Sequence, residues 1–275
     1  MTTRQQAKSA TLRELHQKGV LVLPNAWDAG SAALIARAGA QAVATTSGGV
    51  SWSAGRPDQQ ALTRDEMVAL IRRIVATVDV PVTADIEGGY GAAPEDVEKT
   101  ITAVIEAGVA GVNLEDSKPN GELFTAEEQA ARIRAARQAA EAAGLPELFV
   151  NLRTDVFLFG IGEPKGRPDD VLARAAAYAE AGADGLFVPG LLDLGVIAEL
   201  VTGQPLPLNV MAGPGAPTVA EFAAAGVRRV SVGTAIAQSA YTLAHRAAAE
   251  LIGQGSYDTL AGALDFGAVN GSFDR

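Results

Sequence analysis

The sequence contains no cysteine among its 275 residues. Disulfide bonds, thiolate nucleophiles and sulfur-ligated metal centres are therefore excluded. Histidine is nearly as scarce, because only His16 and His245 occur. Both lie in segments with a helical pattern, where we interpret them as surface or packing residues rather than as catalytic bases.

Positive charge is also in short supply. The chain has 22 Lys and Arg against 32 Asp and Glu, a formal net charge of −10. Nucleic acids and anionic membranes bind basic patches, so this balance argues against both as partners. No apolar run reaches the roughly 20 residues of a membrane span. The N-terminal stretch MTTRQQAKSATLRELHQKG lacks an apolar signal core, and we expect a soluble cytoplasmic protein.

Lysine is scarce at the ends of the predicted strands. A Schiff-base aldolase needs a lysine at a strand end. Only Lys118, of five lysines, lies near a predicted strand end. We therefore set that mechanism aside.

The apolar residues that are present form eight short runs, separated by longer amphipathic segments. The runs are Val20–Pro24, Ala42–Thr46, Val80–Ile86, Gly111–Leu114, Leu148–Arg153, Gly185–Val188, Leu206–Met211 and Arg229–Val232. The main helical segments between them are Arg64–Val78, Pro94–Ala107, Ala126–Ala143, Asp169–Ala181 and Val219–Ala225. Thr63 and Thr125 precede acidic first turns, which is typical of helix N-caps.

A weak repeat supports this count of strands. Ala-Gly-Ala or Ala-Gly-Val closes four helical segments, at residues 38–40, 107–109, 181–183 and 225–227. The glycine is the expected left-handed C-cap before a strand. Eight strand–helix units in a chain of this length predict a single (β/α)8 TIM barrel domain spanning residues 1–275. The competing doubly wound sheet would need a glycine-rich loop after its first strand, where Pro24-Asn25-Ala26-Trp27-Asp28 stands instead.

The C-terminal tail extends beyond a plain barrel. After the long helical segment Ala235–Ile252, Tyr257–Val269 predicts one more helix, within residues 256–270. Such a helix needs a surface to cover. Docking on a neighbouring subunit and packing within the chain are both open.

Acidic residues follow several of the predicted strands. Active sites of parallel barrels lie at the C-terminal ends of the strands. Asp58, Asp85, Glu87 and Glu115 would meet there, and they would repel one another without a cation between them. Oxygen ligands without Cys or His favour Mg²⁺ or Mn²⁺. We expect a divalent cation at this site, and the glycines after Glu87 would keep bulk away from it.

Groups that could bind an anion occur at the same edge. The backbone N–H groups of Ser47, Gly48 and Gly49 form a plausible seat for a carboxylate or oxyanion. Arg153 ends an apolar run, so it either pairs with Asp155 or another acid, or binds an anionic group of the substrate. Asn209 lies on the seventh run as a further candidate for substrate binding.

Taken in order, these motifs resemble the isocitrate lyase / phosphoenolpyruvate mutase superfamily between about Leu21 and Gly233. The motifs are Pro24-Asn25-Ala26-Trp27-Asp28 with Ser31-Ala32, Thr46-Ser47-Gly48-Gly49, Gly55-Arg56-Pro57-Asp58, Asp85-Ile86-Glu87-Gly88-Gly89-Tyr90-Gly91, Asn113-Leu114-Glu115-Asp116, Arg153-Thr154-Asp155 and Glu180-Ala181-Gly182-Ala183-Asp184. The Asp-x-Glu-x-Gly-Tyr-Gly and Leu-Glu-Asp elements are the most specific of them.

The resemblance implies a (β/α)8 barrel that uses Mg²⁺ and binds a 2-oxo acid or its enolate. It makes Asp85 the direct metal ligand, with Asp58, Glu87 and Glu115 holding the metal's waters. It implies that Ser47, Gly48 and Gly49 bind the carboxylate and oxygen of the oxo acid, that Arg153 binds a substrate anion, and that Trp27 lies against the substrate. Asp58, Glu115 and Arg153 are the candidate catalytic residues. The resemblance also implies a homotetramer that exchanges its last helix between subunits.

One loop departs from the lyase branch of that family. The lyases carry a Lys-Lys-Cys-Gly-His element after the fourth strand, and here residues 116–124 read DSKPNGELF. The first hypothesis is a Mg²⁺-dependent carbon–carbon lyase of a small 2-hydroxy or 2-oxo (di)carboxylate, similar to 2-methylisocitrate lyase. The second is a phosphonopyruvate mutase or hydrolase, or an oxaloacetate decarboxylase. The third is a binder of 2-oxo acids without catalytic activity.

Overall fold

The computed structural model describes residues 3–273, which contain nine parallel β-strands. They are β1 (Leu21–Leu23), β2 (Asn25–Ala26), β3 (Val43–Thr45), β4 (Val82–Asp85), β5 (Gly111–Glu115), β6 (Phe149–Arg153), β7 (Gly185–Phe187), β8 (Leu208–Met211) and β9 (Arg229–Ser231). Every predicted apolar run overlaps one of these strands, so the predicted strand positions are confirmed.

The sheet curls into a nearly closed barrel. Its hydrogen-bonded order runs β1-β9-β8-β7-β6-β5-β4-β3-β2. Pro24 alone separates β1, which pairs with β9, from β2, which pairs with β3. Proline has no N–H to donate to a ladder, so it interrupts the first strand. The two halves of that strand bridge the ends of the sheet, which confirms the predicted TIM-barrel class.

Helices surround the barrel. They are α1 (Thr3–Gln17), α2 (Ala29–Arg37), α3 (Ser47–Ser53), α4 (Arg64–Thr77), α5 (Pro94–Ala107), α6 (Ala126–Ala142), α7 (Arg167–Glu180), α8 (Leu194–Gly203), α9 (Val219–Ala224), α10 (Ala235–Gln254) and α11 (Phe266–Asn270). Thr63 and Thr125 form the expected capping boxes at the starts of α4 and α6. Gly108 ends α5 with φ 99°, which confirms its predicted left-handed conformation.

The tail differs from its prediction. One continuous helix over Tyr257–Val269 is wrong, because the structure has a 3-10 turn at Asp258–Leu260 and then the short helix α11. Ala261 adopts an extended backbone and Gly262 has φ 81°, so the helix cannot continue. Asp265 starts α11 by accepting a hydrogen bond from the Ala268 N–H at 2.8 Å.

The main core lies between the outer faces of the strands and the helices. A smaller apolar cluster that includes Leu12, Leu21 and Phe149 fills the lower barrel, where α1 supplies Leu12. Helix α10 is an exception, because Ala237 is its only buried residue. Among residues 3–273, no helix combines the length and the apolar character needed to cross a membrane.

Candidate active site

Three predicted site residues end three consecutive strands. Asp85 ends β4, Glu115 ends β5 and Arg153 ends β6. In the strand register Asp85 lies opposite Asn113, two residues before Glu115, and Glu115 lies opposite Arg153. The carboxyl ends of parallel strands open at the same mouth of a barrel. The structure therefore brings these side chains together where a barrel enzyme holds its substrate.

Asp85 is held by backbone donors from two elements. The Ser47 N–H, at the start of α3, donates to Asp85 Oδ2 at 3.2 Å, and the Glu87 N–H donates to Oδ1 at 3.2 Å. Burial raises the pKa of Asp85, and Asp58 adds repulsion, while Arg153 and the two amides oppose that rise. A positive ion beside Asp85 would stabilise its charged form.

Glu87 lies in a turn that follows β4, because that strand ends at Asp85. Its backbone has φ 50°, in the left-handed region. The Gln60 N–H donates to Oε2 at 2.6 Å and the Tyr90 hydroxyl donates to Oε1 at 3.1 Å. Burial, together with repulsion from Asp85 and Asp58, raises the pKa of Glu87 to about 7. Turn geometry, rather than strand alternation, places this carboxylate.

Asp58 contributes the one site carboxylate oxygen that is buried without a partner. Its Oδ1 accepts no hydrogen bond from the described part of the chain. Its Oδ2 lies 3.0 Å from the position that a Cβ atom on Gly48 would take. A buried oxygen of this kind needs a donor or a cation. Asp58 therefore marks where an ion or its water shell would fit.

Arg153 forms two ion pairs. Its Nη1 lies 2.9 Å from Glu115 Oε2, and its Nε donates to Asp155 Oδ1 at 2.6 Å. Burial raises the pKa of Glu115 to about 8, with Arg153 opposing and the neighbouring acids adding to the rise. The sequence left two roles open for Arg153, pairing with acids or binding a substrate anion. The structure shows the pairing with acids.

The acidic residues suit a cation that keeps much of its water. Residues 3–273 contain no group of three or more acidic or histidine side chains arranged to hold an ion directly. Mg²⁺ commonly binds one or two carboxylates and retains several waters. Asp85 as the direct ligand, with Asp58, Glu87 and Glu115 reached through water, is consistent with that geometry. The unpartnered Asp58 oxygen and the raised carboxyl pKa values support the same fit.

Ser47, Gly48 and Gly49 form the first turn of α3 rather than an open loop. The first N–H groups of a helix have no acceptor within it, and the Thr46 hydroxyl makes no capping hydrogen bond here. A Cβ atom on Gly49 would come within 2.7 Å of Trp27 Cβ, so Trp27 lies directly against this turn. Of the three predicted anion-binding amides, that of Ser47 is already used by Asp85.

The loop after β5 is an ordered hairpin. Ser117 and Leu123 form an antiparallel bridge, and the Lys118 N–H donates to the Glu122 carbonyl at 2.8 Å. Lys118 Nζ lies 4.9 Å from the Phe124 ring centroid and 4.0 Å from Glu128 Oε2. In this conformation Lys118 is directed to the hairpin and α6 rather than to the strand-end acids.

Asn209 lies below the mouth. It is fully buried, its Oδ1 accepts from Asn151 Nδ2 at 3.1 Å, and its Nδ2 donates to the Arg229 carbonyl at 3.2 Å and to the Ser231 hydroxyl at 3.2 Å. The structure does not bring it to the acids, and its polar atoms are already used. Substrate binding by Asn209 stays a prediction, and this geometry does not favour it.

Arg132 is a contributor that sequence reasoning missed. Its guanidinium is buried and donates to the carbonyls of Gly88, Gly91 and Ala92, the last two at 2.8 and 2.6 Å. The ring of Phe124 lies 4.2 Å from the guanidinium carbon. Arg132 thus joins the turn after Glu87 to the end of the hairpin loop. Nothing in the pattern of α6 marks it, because arginine is usually exposed on such a helix.

Comparison with known proteins identifies the family to which the chain is similar. The family model for phosphoenolpyruvate phosphomutase matches residues 12–252. An uncharacterised protein of Mycobacterium tuberculosis H37Rv is 37% identical over 241 residues, covering 87% of this chain and 88% of that protein. The 2-methylisocitrate lyase of Escherichia coli K12 is 32% identical over 191 residues, which cover 66% of this chain and 61% of that enzyme. Oxaloacetate decarboxylase 2 of Pseudomonas fluorescens Pf0-1 is 32% identical over 208 residues, with 72% and 68% covered.

Solved structures agree with the sequence matches. A crystal structure from Burkholderia cenocepacia J2315, provisionally named a lyase/mutase, superposes with a TM-score of 0.91 and 37% identity, covering 100% of this chain and 98% of that one. A second from the same organism, provisionally named a phosphonomutase, gives 0.82 and 47%, with 92% and 100% covered.

Proposed function

The chain belongs to the phosphoenolpyruvate phosphomutase family, within the isocitrate lyase superfamily, and we propose that it is a Mg²⁺- or Mn²⁺-dependent carbon–carbon lyase. Its substrate would be a small 2-hydroxy or 2-oxo acid, as the name of its relative 2-methylisocitrate lyase suggests. The observation that carries the proposal is the group of buried and partly buried acids at the strand ends, centred on Asp85.

Each part of this site has a distinct task in the proposal. Asp85 would hold the cation directly, while Asp58, Glu87 and Glu115 would orient its waters. A bound cation would stabilise the negative charge that develops on the oxygen of an enolate. The free amides of Gly48 and Gly49 would donate to the substrate's carboxylate, since first-turn amides are aimed away from their own helix. Trp27 would exclude water from one side of the substrate.

The Arg153 ion pairs support a positioning task for this residue. Arg153 holds Glu115 at 2.9 Å and so fixes the orientation of that carboxylate beside Asp85. Because Arg153 is already paired with Glu115 and Asp155, a substrate anion would bind it only as a third partner. Arg153 favours the charged form of Glu115 while burial opposes it, and the carboxyl group would exchange a proton or orient a water.

A second candidate function differs from the lyase in the group that leaves the substrate. The chain has no cysteine to protonate a leaving enolate, and its loop after β5 folds as a hairpin with Lys118 turned aside. Oxaloacetate decarboxylation and phosphonopyruvate chemistry use the same metal–enolate platform without that cysteine. This observation favours an oxaloacetate decarboxylase, or a phosphonopyruvate mutase or hydrolase, as the second candidate.

Turnover assays decide between the candidates. The purified protein with Mg²⁺ would be incubated separately with 2-methylisocitrate, oxaloacetate and phosphonopyruvate, and the products followed by NMR. Cleavage of the first supports the lyase, and conversion of either of the others supports the second candidate. Mg²⁺-dependent binding of oxo acids without turnover of any would make the chain a 2-oxo-acid binder and contradict both enzymatic readings.

The outer surface supports a homo-oligomer, for which we propose a tetramer built from two dimers that exchange C-terminal segments. Helix α10 and the residues after it expose large apolar side chains, among them Ile252 at 86% and Phe266 at 86%. On the barrel, Val22 of β1 is 49% exposed beside an apolar groove of about 480 Å³ that Ile35 and Ile236 also line. Apolar surface on this scale is typical of subunit interfaces. Light scattering that gave a monomer would contradict this assembly.

A further inference from the structure

A buried arginine, Arg229, lies in the interior of the barrel. It begins β9, is 1% exposed, and its Nη2 donates to Asn113 Oδ1 at 3.1 Å. Asn113 belongs to β5, which three strands separate from β9 in the order of the sheet. A contact between these two strands must cross the inside of the barrel, so the guanidinium group lies among the inward-facing side chains.

Asn113 also places this guanidinium group close to Asp85. The strand register pairs Asn113 of β5 with Asp85 of β4. Residues paired across neighbouring strands project from the same face of a sheet, so both side chains point into the barrel. Arg229 begins its strand whereas Asp85 ends β4, which means that the arginine approaches the proposed metal ligand from the lower end of the barrel.

The charge of Arg229 is poorly compensated where it lies. Its Nε and Nη1 have no hydrogen-bond partner within residues 3–273. Burial lowers the pKa of Arg229 to about 9, and the charge of Asp85 opposes that fall. Burial and the charge of Arg229 also lower the pKa of His16, which stacks on Phe149, to about 3. Because a buried charge without a partner is costly, Asp85 is the group that favours a cation at this place.

The two arginines near Asp85 are held differently. Arg153 is paired with Glu115 and Asp155. Arg229 is hydrogen-bonded to an amide, which carries no charge. A metal ion at Asp85 would therefore meet the uncompensated positive charge of Arg229, and two positive charges repel each other more strongly inside a protein than in water.

We propose that Arg229 is a positioning residue that acts as the internal counter-charge of the metal site. It compensates the charge of Asp85 when the cation is absent and repels the cation when it binds, which keeps metal binding reversible. The inference rests on the proposed function, because it takes Asp85 as the ligand of the cation.

A charge-removing substitution tests this role through the affinity for Mg²⁺. Arg229→Gln removes the charge and keeps a donor for Asn113. At about pH 8, where Arg229 is charged, titration calorimetry is expected to show that Arg229→Gln binds Mg²⁺ at least about 5-fold more tightly than wild type, because a repelling charge is lost. A merely structural residue would leave the affinity unchanged or weaken it when substituted. Unchanged or weaker Mg²⁺ binding in Arg229→Gln would overturn the inference.

Asn151→Leu is the matched control. Asn151 also donates to Asn113 Oδ1 inside the barrel, at 3.0 Å, but it carries no charge. We expect Asn151→Leu to bind Mg²⁺ no more tightly than wild type. A gain in affinity equal to that of Arg229→Gln would attribute the effect to the disturbed hydrogen bonds and overturn the assignment to charge.

A double-mutant cycle locates the effect at Asp85. In the metal-free protein, denaturant unfolding should show that Arg229→Gln costs more stability in wild type than in the Asp85→Asn background, because only wild type has the charge that Arg229 compensates. Arg229→Met, which buries no unpaired amide, carries both measurements if Arg229→Gln fails to fold. Equal costs in the two backgrounds would overturn the inference.

Mg²⁺ binding by Asp85→Asn separates failure of this inference from failure of the proposed function. If wild type binds Mg²⁺ and Asp85→Asn loses that binding, while Arg229→Gln gains no affinity, the metal site stands and the role of Arg229 fails. If wild type does not bind Mg²⁺, or Asp85→Asn binds it unchanged, the proposed metal site fails and the role of Arg229 fails with it.

Discussion

Gly49 lies against Trp27 without room for a side chain, because a Cβ atom there would stand 2.7 Å from Trp27 Cβ and 2.9 Å from Thr46 Cγ2. We expect Gly49→Ala to displace Trp27 and the first turn of α3, at a cost of about 1–3 kcal/mol in the free energy of unfolding. Denaturant unfolding measures the cost. Gly166→Ala is the control, since a Cβ there meets nothing within 4 Å. Equal stability of the two variants would contradict the close contact.

Arg153 is expected to act first as a structural ion pair. Arg153→Met leaves Glu115 and Asp155 as buried acids without their partner, and breaking such a pair costs about 3–5 kcal/mol. Adding Glu115→Gln to this variant should recover part of the loss, because it removes one of the uncompensated charges. A double-mutant cycle by denaturant unfolding tests the coupling. Strictly additive effects would mean that Glu115 and Arg153 do not stabilise each other.

Metal binding should depend on pH through the buried acids. Burial raises the pKa of Glu87 from 4.5 to about 7 and that of Glu115 to about 8. An acid with a raised folded-state pKa contributes stability below its unfolded pKa and loses it as pH rises through the folded value. The metal-free protein should therefore lose this contribution between pH 4.5 and about 8, while Mg²⁺, which needs ionised ligands, should stabilise it increasingly over the same range.

Thermal unfolding with and without Mg²⁺ across that pH range measures both trends. Glu87→Gln removes one titrating group and should flatten the part of the curve near pH 7. A Mg²⁺-induced shift that is the same below pH 4.5 as above pH 8 would contradict the assignment of these carboxylates.

Arg132 is expected to be a positioning residue for the turn that carries Glu87. Arg132→Met removes the donors to the buried carbonyl of Gly88 and to the less buried carbonyls of Gly91 and Ala92, which should lower the free energy of unfolding by about 2 kcal/mol. Arg132→Lys should retain part of this stabilisation, because one ammonium group cannot reach all three carbonyls. The readout beyond stability is Mg²⁺ affinity, which should fall in both variants as Glu87 loses its fixed position. Unchanged Mg²⁺ affinity in a folded Arg132→Lys protein would limit Arg132 to a structural role.

The sequence predicted the barrel closely because its signals are local. Apolar runs of four to seven residues and threonine caps such as Thr63 each act over a few positions, and eight repetitions of one unit leave little choice of topology. The tail was less predictable. Tyr257–Val269 has helical composition, but Ala261 and Gly262 break it, and helical propensity is only a weak guide where little tertiary packing supports a segment.

At the site, the sequence predicted which acids meet but not how they are held. Asp85, Glu115 and Arg153 follow from strand ends, which periodicity marks. The turn that positions Glu87 depends on the Gln60 amide and the Tyr90 hydroxyl, which come together only in three dimensions. The burial of Asn209 was missed for a related reason, since a strand position alone does not tell the mouth of a barrel from the layer beneath it.

Oxalate binding to the wild-type protein and to Asp85→Asn, measured by titration calorimetry with and without Mg²⁺, tests the metal site at Asp85. We expect wild type to bind oxalate only when Mg²⁺ is present. Asp85→Asn keeps the shape of the side chain but loses its charge, so we expect it to fold normally and to bind oxalate about 100-fold more weakly, since loss of a residue that supports a metal ligand already costs about 10- to 100-fold. Oxalate binding that is independent of Mg²⁺, or unchanged in Asp85→Asn, would contradict the assignment of Asp85 as the metal ligand.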